Sequence, residues 1–130
     1  TAGPQAEPDP VMSADELRRY QNFVRQIPVA DNVIEYAVQM VSRTRPDDEA
    51  SPEFISKYLG YGAGPRASQY LVLGAKTLSA LDGRMTPVEA DVRRMAIPVL
   101  RHRIVPSFNA EADNVSSVDL IERLLEQDSL

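Results

Sequence analysis

Apolar residues recur along this chain at a spacing of three and four. Most such runs are opened by a capping signal, and every run but the last is closed by proline or glycine. That rhythm allows a set of short packed helices and little else. Ser13 and Glu16 have capping-box spacing ahead of Leu17, Tyr20, Val24 and Ile27, and Pro28 stops the run. Asp31 can cap a second helix with the stripe Val33, Ile34, Ala37, Val38 and Val41, widened by Tyr36 and Met40. This second helix is expected to be deeply packed. Pro46 and the acids Asp47 to Glu49 return the chain to a loop. Ser51 before Pro52 opens a short helix with Phe54, Tyr58 and Leu59.

Gly60, Gly62 and Gly64 follow closely, and Pro65 then begins a long helix to about Leu81, carrying Leu71, Ala75, Leu78 and Leu81. Gly83 stands where a left-handed cap belongs. Thr86-Pro87-Val88-Glu89 combines capping-box spacing with proline at the first helical position, the strongest start in the chain. Val88, Val92 and Met95 line that helix, Pro98 breaks or kinks it, and Leu100, Ile104 and Val105 continue its apolar face to Pro106. A polar stretch from Ser107 to Val115 leads to a last helix, capped by Ser116 or Ser117, with the stripe Val118, Ile121, Leu124 and Leu125. Sustained two-residue alternation is absent, so strands are not expected. The fold class is all-α, a small bundle of five to seven helices. Residues 1–12, rich in Pro and Gly, read as a linker, with the implication that something preceded it. Residues 13–105 form the helical domain, and 106–130 a polar loop and helix packing on it or extending it.

Composition removes whole classes of function. With 14 Lys and Arg against 19 Asp and Glu, the net charge of −5 argues against general binding of nucleic acid or anionic membrane. The chain has no Cys and one His, His102, so disulfides, thiolate chemistry and His-based metal clusters are excluded. No apolar run could span a bilayer, and no export signal stands at the start, so the cytoplasm is the expected location. A phosphate-binding G-x-x-x-x-G-K-[ST] loop, a G-x-S-x-G elbow and an H-E-x-x-H helix are all missing. No complete active site is present. Acids dominate residues 106–130, which reads either as a solvated face or as a tail that docks on a basic partner.

One segment departs from a purely structural pattern. In Gly62-Ala63-Gly64-Pro65-Arg66-Ala67, glycines permit unusual backbone and Gly64-Pro65 sets a sharp helix entry. Arg66 then falls in the first helical turn, where a cation opposes the helix dipole at a cost of about 0.3–1 kcal/mol. An anionic ligand would account for it, because a helix N-terminus offers amides to phosphate and arginine adds a matching fork. The alternatives are a plain surface cation, or a pair with Asp47 or Glu49.

This Gly-Ala-Gly-Pro-Arg-Ala turn resembles the sensor-2 segment of MoxR-type AAA+ ATPases. Ala80-Leu81-Asp82-Gly83-Arg84 with Met85-Thr86-Pro87 looks like that family's helix end and next capped start. Pro98-Val99-Leu100-Arg101-His102-Arg103-Ile104 looks like its closing helix. Ile27-Pro28-Val29 and Val41-Ser42-Arg43-Thr44-Arg45 fit upstream. The resemblance covers residues 11 to 126. It implies an AAA+ lid cut off from its ATPase core, with ATP and Mg2+ bound mainly by that core and the fragment inactive alone. By the same resemblance Arg66 is the catalytic sensor-2 arginine near the γ-phosphate of ATP. Gly62, Gly64 and Pro65 shape its turn, and Tyr61 can pack near adenine. The implied partners are its own core, neighbouring ring subunits and a von Willebrand A-type domain protein, with the free fragment monomeric and the whole acting like a chaperone. Gly64 departs from the pattern, since serine is commoner there. Glycine caps helices too.

The remaining candidates have plainer readings. His102 lacks an orienting partner for base catalysis. Arg93, Arg94, Arg101 and Arg103 form a modest basic cluster, with Arg94 and Arg101 on one face. Glu89 and Asp91 lie on different faces and make a poor acid/base pair. The competing function is a stand-alone helical adaptor with no nucleotide role, binding a protein through an exposed apolar patch around Val118 to Leu125. DNA binding by a helix-turn-helix is disfavoured by the charge.

Overall fold

The structure, a computed structural model, describes residues 8–128. Within them the chain forms α1 (Ala14–Gln26), α2 (Asp31–Ser42), α3 (Glu53–Tyr58), β1 (Leu59–Tyr61), α4 (Arg66–Leu81), α5 (Glu89–Leu100), β2 (Val105–Pro106), α6 (Phe108–Ala112) and α7 (Ser117–Gln127). These seven helices meet the expected five to seven, and the fold is a small helical bundle. Of the expected linker, residues 1–7 lie outside the described residues, and Pro8 to Met12 are exposed and non-helical. Among the described residues no helix is long and apolar enough to cross a membrane.

α4 is the hub, packed between α2 and α5. Val33, Ala37, Met40 and Val41 of α2 meet Leu71 and Ala75 of α4, and Val92, Ala96, Val99 and Leu100 close the other side from α5. Gly74 allows this closeness, since a Cβ there would lie 2.7 Å from Cε of Met95. Leu120, Ile121 and Leu124 complete the core from α7, so α7 belongs to the same bundle. The adaptor patch expected around Val118 to Leu125 is therefore not a surface. Its central residues are interior.

Local chemistry sets most boundaries. The Ser13–Glu16 capping box forms, with Ser13 N–H donating to the Glu16 carboxylate at 2.8 Å. Ser116, not Ser117, caps α7, and its amide donates to Asp119 at 2.7 Å. Gly83 has φ +71°, and Arg84 N–H reaches back to Ser79 C=O at 2.8 Å, the six-residue closure of a left-handed helix end.

Several expectations need correction. α2 starts after Ala30, which caps nothing by side chain, and Asp31 is its first residue instead of its cap. Ile34 and Val38 are exposed, so only part of the predicted stripe is packed. α3 is preceded by Pro52, while the Ser51 hydroxyl donates to Arg45 C=O at 2.7 Å. The strong Thr86 start is displaced by two residues. α5 begins after Val88, whose amide donates to Asp91 at 2.9 Å. The Thr86 hydroxyl donates to Pro28 C=O at 3.0 Å, and Glu89 accepts from Asn32 at 2.9 Å. Pro98 sits inside α5 without ending it. Of the stripe expected on α1, Leu17 and Tyr20 are exposed and Val24 is half-buried, so only Ile27, just past the helix end, is interior. Leu81 is exposed as well. Two elements were not expected: α6, inside the stretch read as a loop, and an antiparallel pair joining Leu59 to Pro106 and Tyr61 to Val105.

Candidate functional site

The turn before α4 is seated on the end of α2. Thr44, one residue past the Arg43 cap of α2, is fully buried. Its hydroxyl donates to Val41 C=O at 2.7 Å and accepts the Ala63 amide at 2.9 Å. Gly62 lies against the same backbone, where a Cβ would come within 2.4 Å of the Thr44 carbonyl oxygen. Glycine is needed at 62 for this close approach. The unusual backbone angles expected of the two glycines do not occur, since Gly83 is the one glycine with positive φ among the described residues. Gly64 meets nothing within 4 Å where its side chain would stand.

Pro65 then holds φ −57° and ψ −29°, already helical, and the Ala67 amide donates to Gly64 C=O at 2.9 Å. The Ser68 hydroxyl caps back onto Pro65 C=O at 2.7 Å. Ala63 and Ala67 are both interior. The exposed Arg66 is thus carried between two buried anchors.

Arg66 makes no ion pair with Asp47, Glu49 or any other carboxylate among the described residues, so that alternative is not realised. Its placement is unusual within the molecule. Among the described residues α1, α2, α3, α5, α6 and α7 each carry an acid in the first turn, as the helix dipole favours. α4 carries none there and has Arg66 at its first position.

Tyr61 is 74% exposed at the end of β1. With Gly60, Gly62, Arg45, Pro46, Asp47 and Asp48 it lines an open cleft of about 350 Å³. The structure therefore brings Tyr61 and Gly62 together with the loop after α2. It does not bring Arg66 into the lining of that cleft.

The other candidates have structural partners. Arg93 donates to the Tyr36 hydroxyl at 3.1 Å and to Leu125 C=O at 2.7 Å. Arg94 meets Asp82 at 3.3 Å, while Arg103 donates to Val99 C=O at 2.6 Å and lies over the Tyr70 ring. The basic cluster is distributed over separate contacts. His102 lies against the Arg103 guanidinium, which offers no orientation for base catalysis. Asp91 is a buried cap held by Arg84, and Glu89 is a surface partner of Asn32. The residue missed by sequence reasoning is Thr44. Its one signal was membership of the run from Val41 to Arg45.

Known proteins resemble this chain in sequence and in fold. The AAA lid domain family matches residues 53–124. Chaperone MoxR1 from Mycobacterium tuberculosis is 31% identical over 123 residues, covering 95% of this chain and 32% of that protein. A crystal structure of a candidate ATPase from Cytophaga hutchinsonii superposes with TM-score 0.76 at 28% identity, covering 85% of this chain and 33% of that one. The chain thus spans about a third of the length of each of these proteins. The matched segment runs from α3 through the glycine turn and Arg66 into α7, more than half of the 130 residues. On that match the chain belongs to the AAA lid domain family.

Proposed function

We propose that this lid works as the sensor-2 module of a longer, ring-forming ATPase with a chaperone-like remodelling role, and that Arg66 contacts the γ-phosphate of ATP there. One observation carries the reading. Arg66 is an exposed guanidinium without a carboxylate partner among the described residues, set against the dipole of α4 on a turn held by buried neighbours. An anion at that position would relieve the unfavourable placement and accept the guanidinium fork.

The residues of this chain divide in their fit to the nucleotide. Arg66 suits a phosphate, and Tyr61, at the mouth of its cleft, offers a face for an adenine ring. For Mg2+ the fit is absent, since the described residues include no group of three or more acidic or histidine side chains that could hold a metal. Mg2+ and most of the nucleotide then belong to the ATPase core outside this chain, and ATP supplies the phosphoryl group that is transferred. What this chain adds is electrostatic. Arg66 would neutralise charge on the phosphoryl oxygens. The same contact ties the orientation of α4 to the state of the nucleotide. In this reading the partners are the core, neighbouring subunits and a client such as a von Willebrand A-type domain protein, in the cytoplasm.

The test is Arg66→Ala in the parent protein. Hydrolysis should fall by about 100-fold, while the thermal midpoint of the isolated domain does not fall, because the exposed cation opposes the dipole of its own helix. Equal turnover by variant and parent would remove the assignment.

A further inference from the structure

We propose that Thr44 is a positioning residue for Arg66, fixing the direction of that guanidinium through its hydroxyl. This rests on the proposed contact between Arg66 and phosphate.

The hydroxyl is a two-way bridge. Its proton goes to Val41 C=O at 2.7 Å, inside the last turn of α2, and its oxygen accepts the Ala63 amide at 2.9 Å. Thr44 is fully buried and Ala63 nearly so, so no water competes for either bond. The carbonyl of the same residue is the surface on which Gly62 rests, with room for hydrogen only. Two adjacent residues of the turn are therefore registered against one residue of α2, one by hydrogen bond and one by contact.

The lever from there to Arg66 is short and stiff. Between Ala63 and Arg66 stand only Gly64 and Pro65, and the proline ring fixes one of the intervening torsions. Ala67 is interior on the far side. Gly64 has no side chain to pack and open space where one would stand, so it is the joint at which the turn would swing if Ala63 came loose. The hydroxyl of Thr44 holds that joint closed. The anchor extends further into the bundle, because the neighbouring Arg43 pairs with Asp128 at the end of α7, and Asp128 also accepts from the Tyr36 hydroxyl at 3.0 Å.

Valine at position 44 keeps the shape of threonine and removes the bridge, leaving the Ala63 amide buried without an acceptor. In the parent ATPase, Thr44→Val is expected to lower kcat about tenfold with KM for ATP little changed, because a misdirected arginine loses transition-state contact more than ground-state binding. Thr44→Ser restores the hydroxyl and should restore kcat. Acting through Arg66 also means that Thr44→Val adds no further loss in an Arg66→Ala background. In the isolated domain, the Ala63 amide should exchange with solvent at least about tenfold faster in Thr44→Val than in the parent or in Thr44→Ser.

Four outcomes decide the matter. A loss in Thr44→Val that vanishes in the Arg66→Ala background, with rescue by serine, supports the proposal. A loss of the same factor in both backgrounds, or a Thr44→Ser variant as impaired as the valine, makes Thr44 structural only and overturns it. Full turnover in Thr44→Val overturns it as well, while leaving the phosphate contact standing if Arg66→Ala is impaired. Full turnover in Arg66→Ala removes the phosphate contact and Thr44's role together.

Discussion

Arg84 grips Asp91 with both of its terminal nitrogens, Nη1 to Oδ2 at 2.8 Å and Nη2 to Oδ1 at 2.6 Å. The carboxylate is buried at the start of α5, and its Oδ2 also accepts the Val88 amide at 2.9 Å. One acid thus caps α5 and ties it to the chain leaving α4, while Asp82 draws in Arg84 and Arg94 from the solvent side at 3.0 and 3.3 Å. Asp91→Ala should destabilise the domain by about 2 kcal/mol, since it strips an amide and a guanidinium of their partner at once. Urea unfolding followed by far-UV circular dichroism would measure the loss, and Arg66→Ala is the control that should show none.

The same carboxylate makes stability depend on pH. The Arg84 guanidinium, aided by the Val88 amide, holds the Asp91 carboxyl below its ordinary range despite burial. Tyr58 lowers Asp113 and Ser116 lowers Asp119 in the same sense, each through its hydroxyl. A folded-state value below the unfolded one means that the contribution is fully present above the unfolded carboxylate value of about 3.9 and is lost as pH falls through the lower folded value. Thermal midpoints should therefore fall steeply below about pH 4. Asp91→Asn should be less stable than the parent at pH 7, and the gap should close on acidification. A constant gap down to pH 2 would contradict the linkage.

Three glycines should respond differently to alanine, for three physical reasons. Gly62→Ala forces a methyl to within 2.4 Å of the Thr44 carbonyl oxygen and should cost about 2 kcal/mol as the turn lifts off α2. Gly83→Ala must adopt φ near +71° and should cost about 1 kcal/mol. Gly64→Ala, with open space and no positive φ, should be neutral within about 0.5 kcal/mol. Chemical denaturation of the three variants side by side gives the order.

Ile121 separates a folding role from a binding role. It is 1% exposed and packs in the common core with Leu120 and Leu124. Ile121→Ala should cost about 3 kcal/mol, and Ile121→Asp should leave little folded domain at 37 °C. A soluble, folded Ile121→Asp variant that merely failed to bind a partner would restore the adaptor reading.

What was legible in the sequence was chemistry that closes within a few residues. Ser13 with Glu16 and Gly83 after α4 are decided by neighbours three to five positions away and stand where they were expected, while the cap of α7 falls on Ser116, one of its two candidate serines. The start of α5 misled because two of its signals are used elsewhere. Thr86 bonds to the chain before α2 and Glu89 bonds to Asn32, leaving Asp91 to make the cap. α6 has five residues, too few to show a period, and the β1–β2 pair is shorter still. Arg66 was legible because its charge contradicts its own helix, an anomaly visible without coordinates. Thr44 was not, because its meaning depends on Ala63, 19 residues away, being folded against it.

α1 buries none of its side chains, and it is fastened to the bundle by Ile27 just past its end and by Lys76 donating to Arg25 C=O at 3.0 Å. Thirteen residues of solvated helix are marginal on their own in water. On warming, this arm should unravel while the remaining helices still hold together, so the loss of ellipticity would begin before the cooperative transition. An excised domain would then give two thermal signatures from a single polypeptide, the earlier one belonging to an appendage and the later one to the bundle itself.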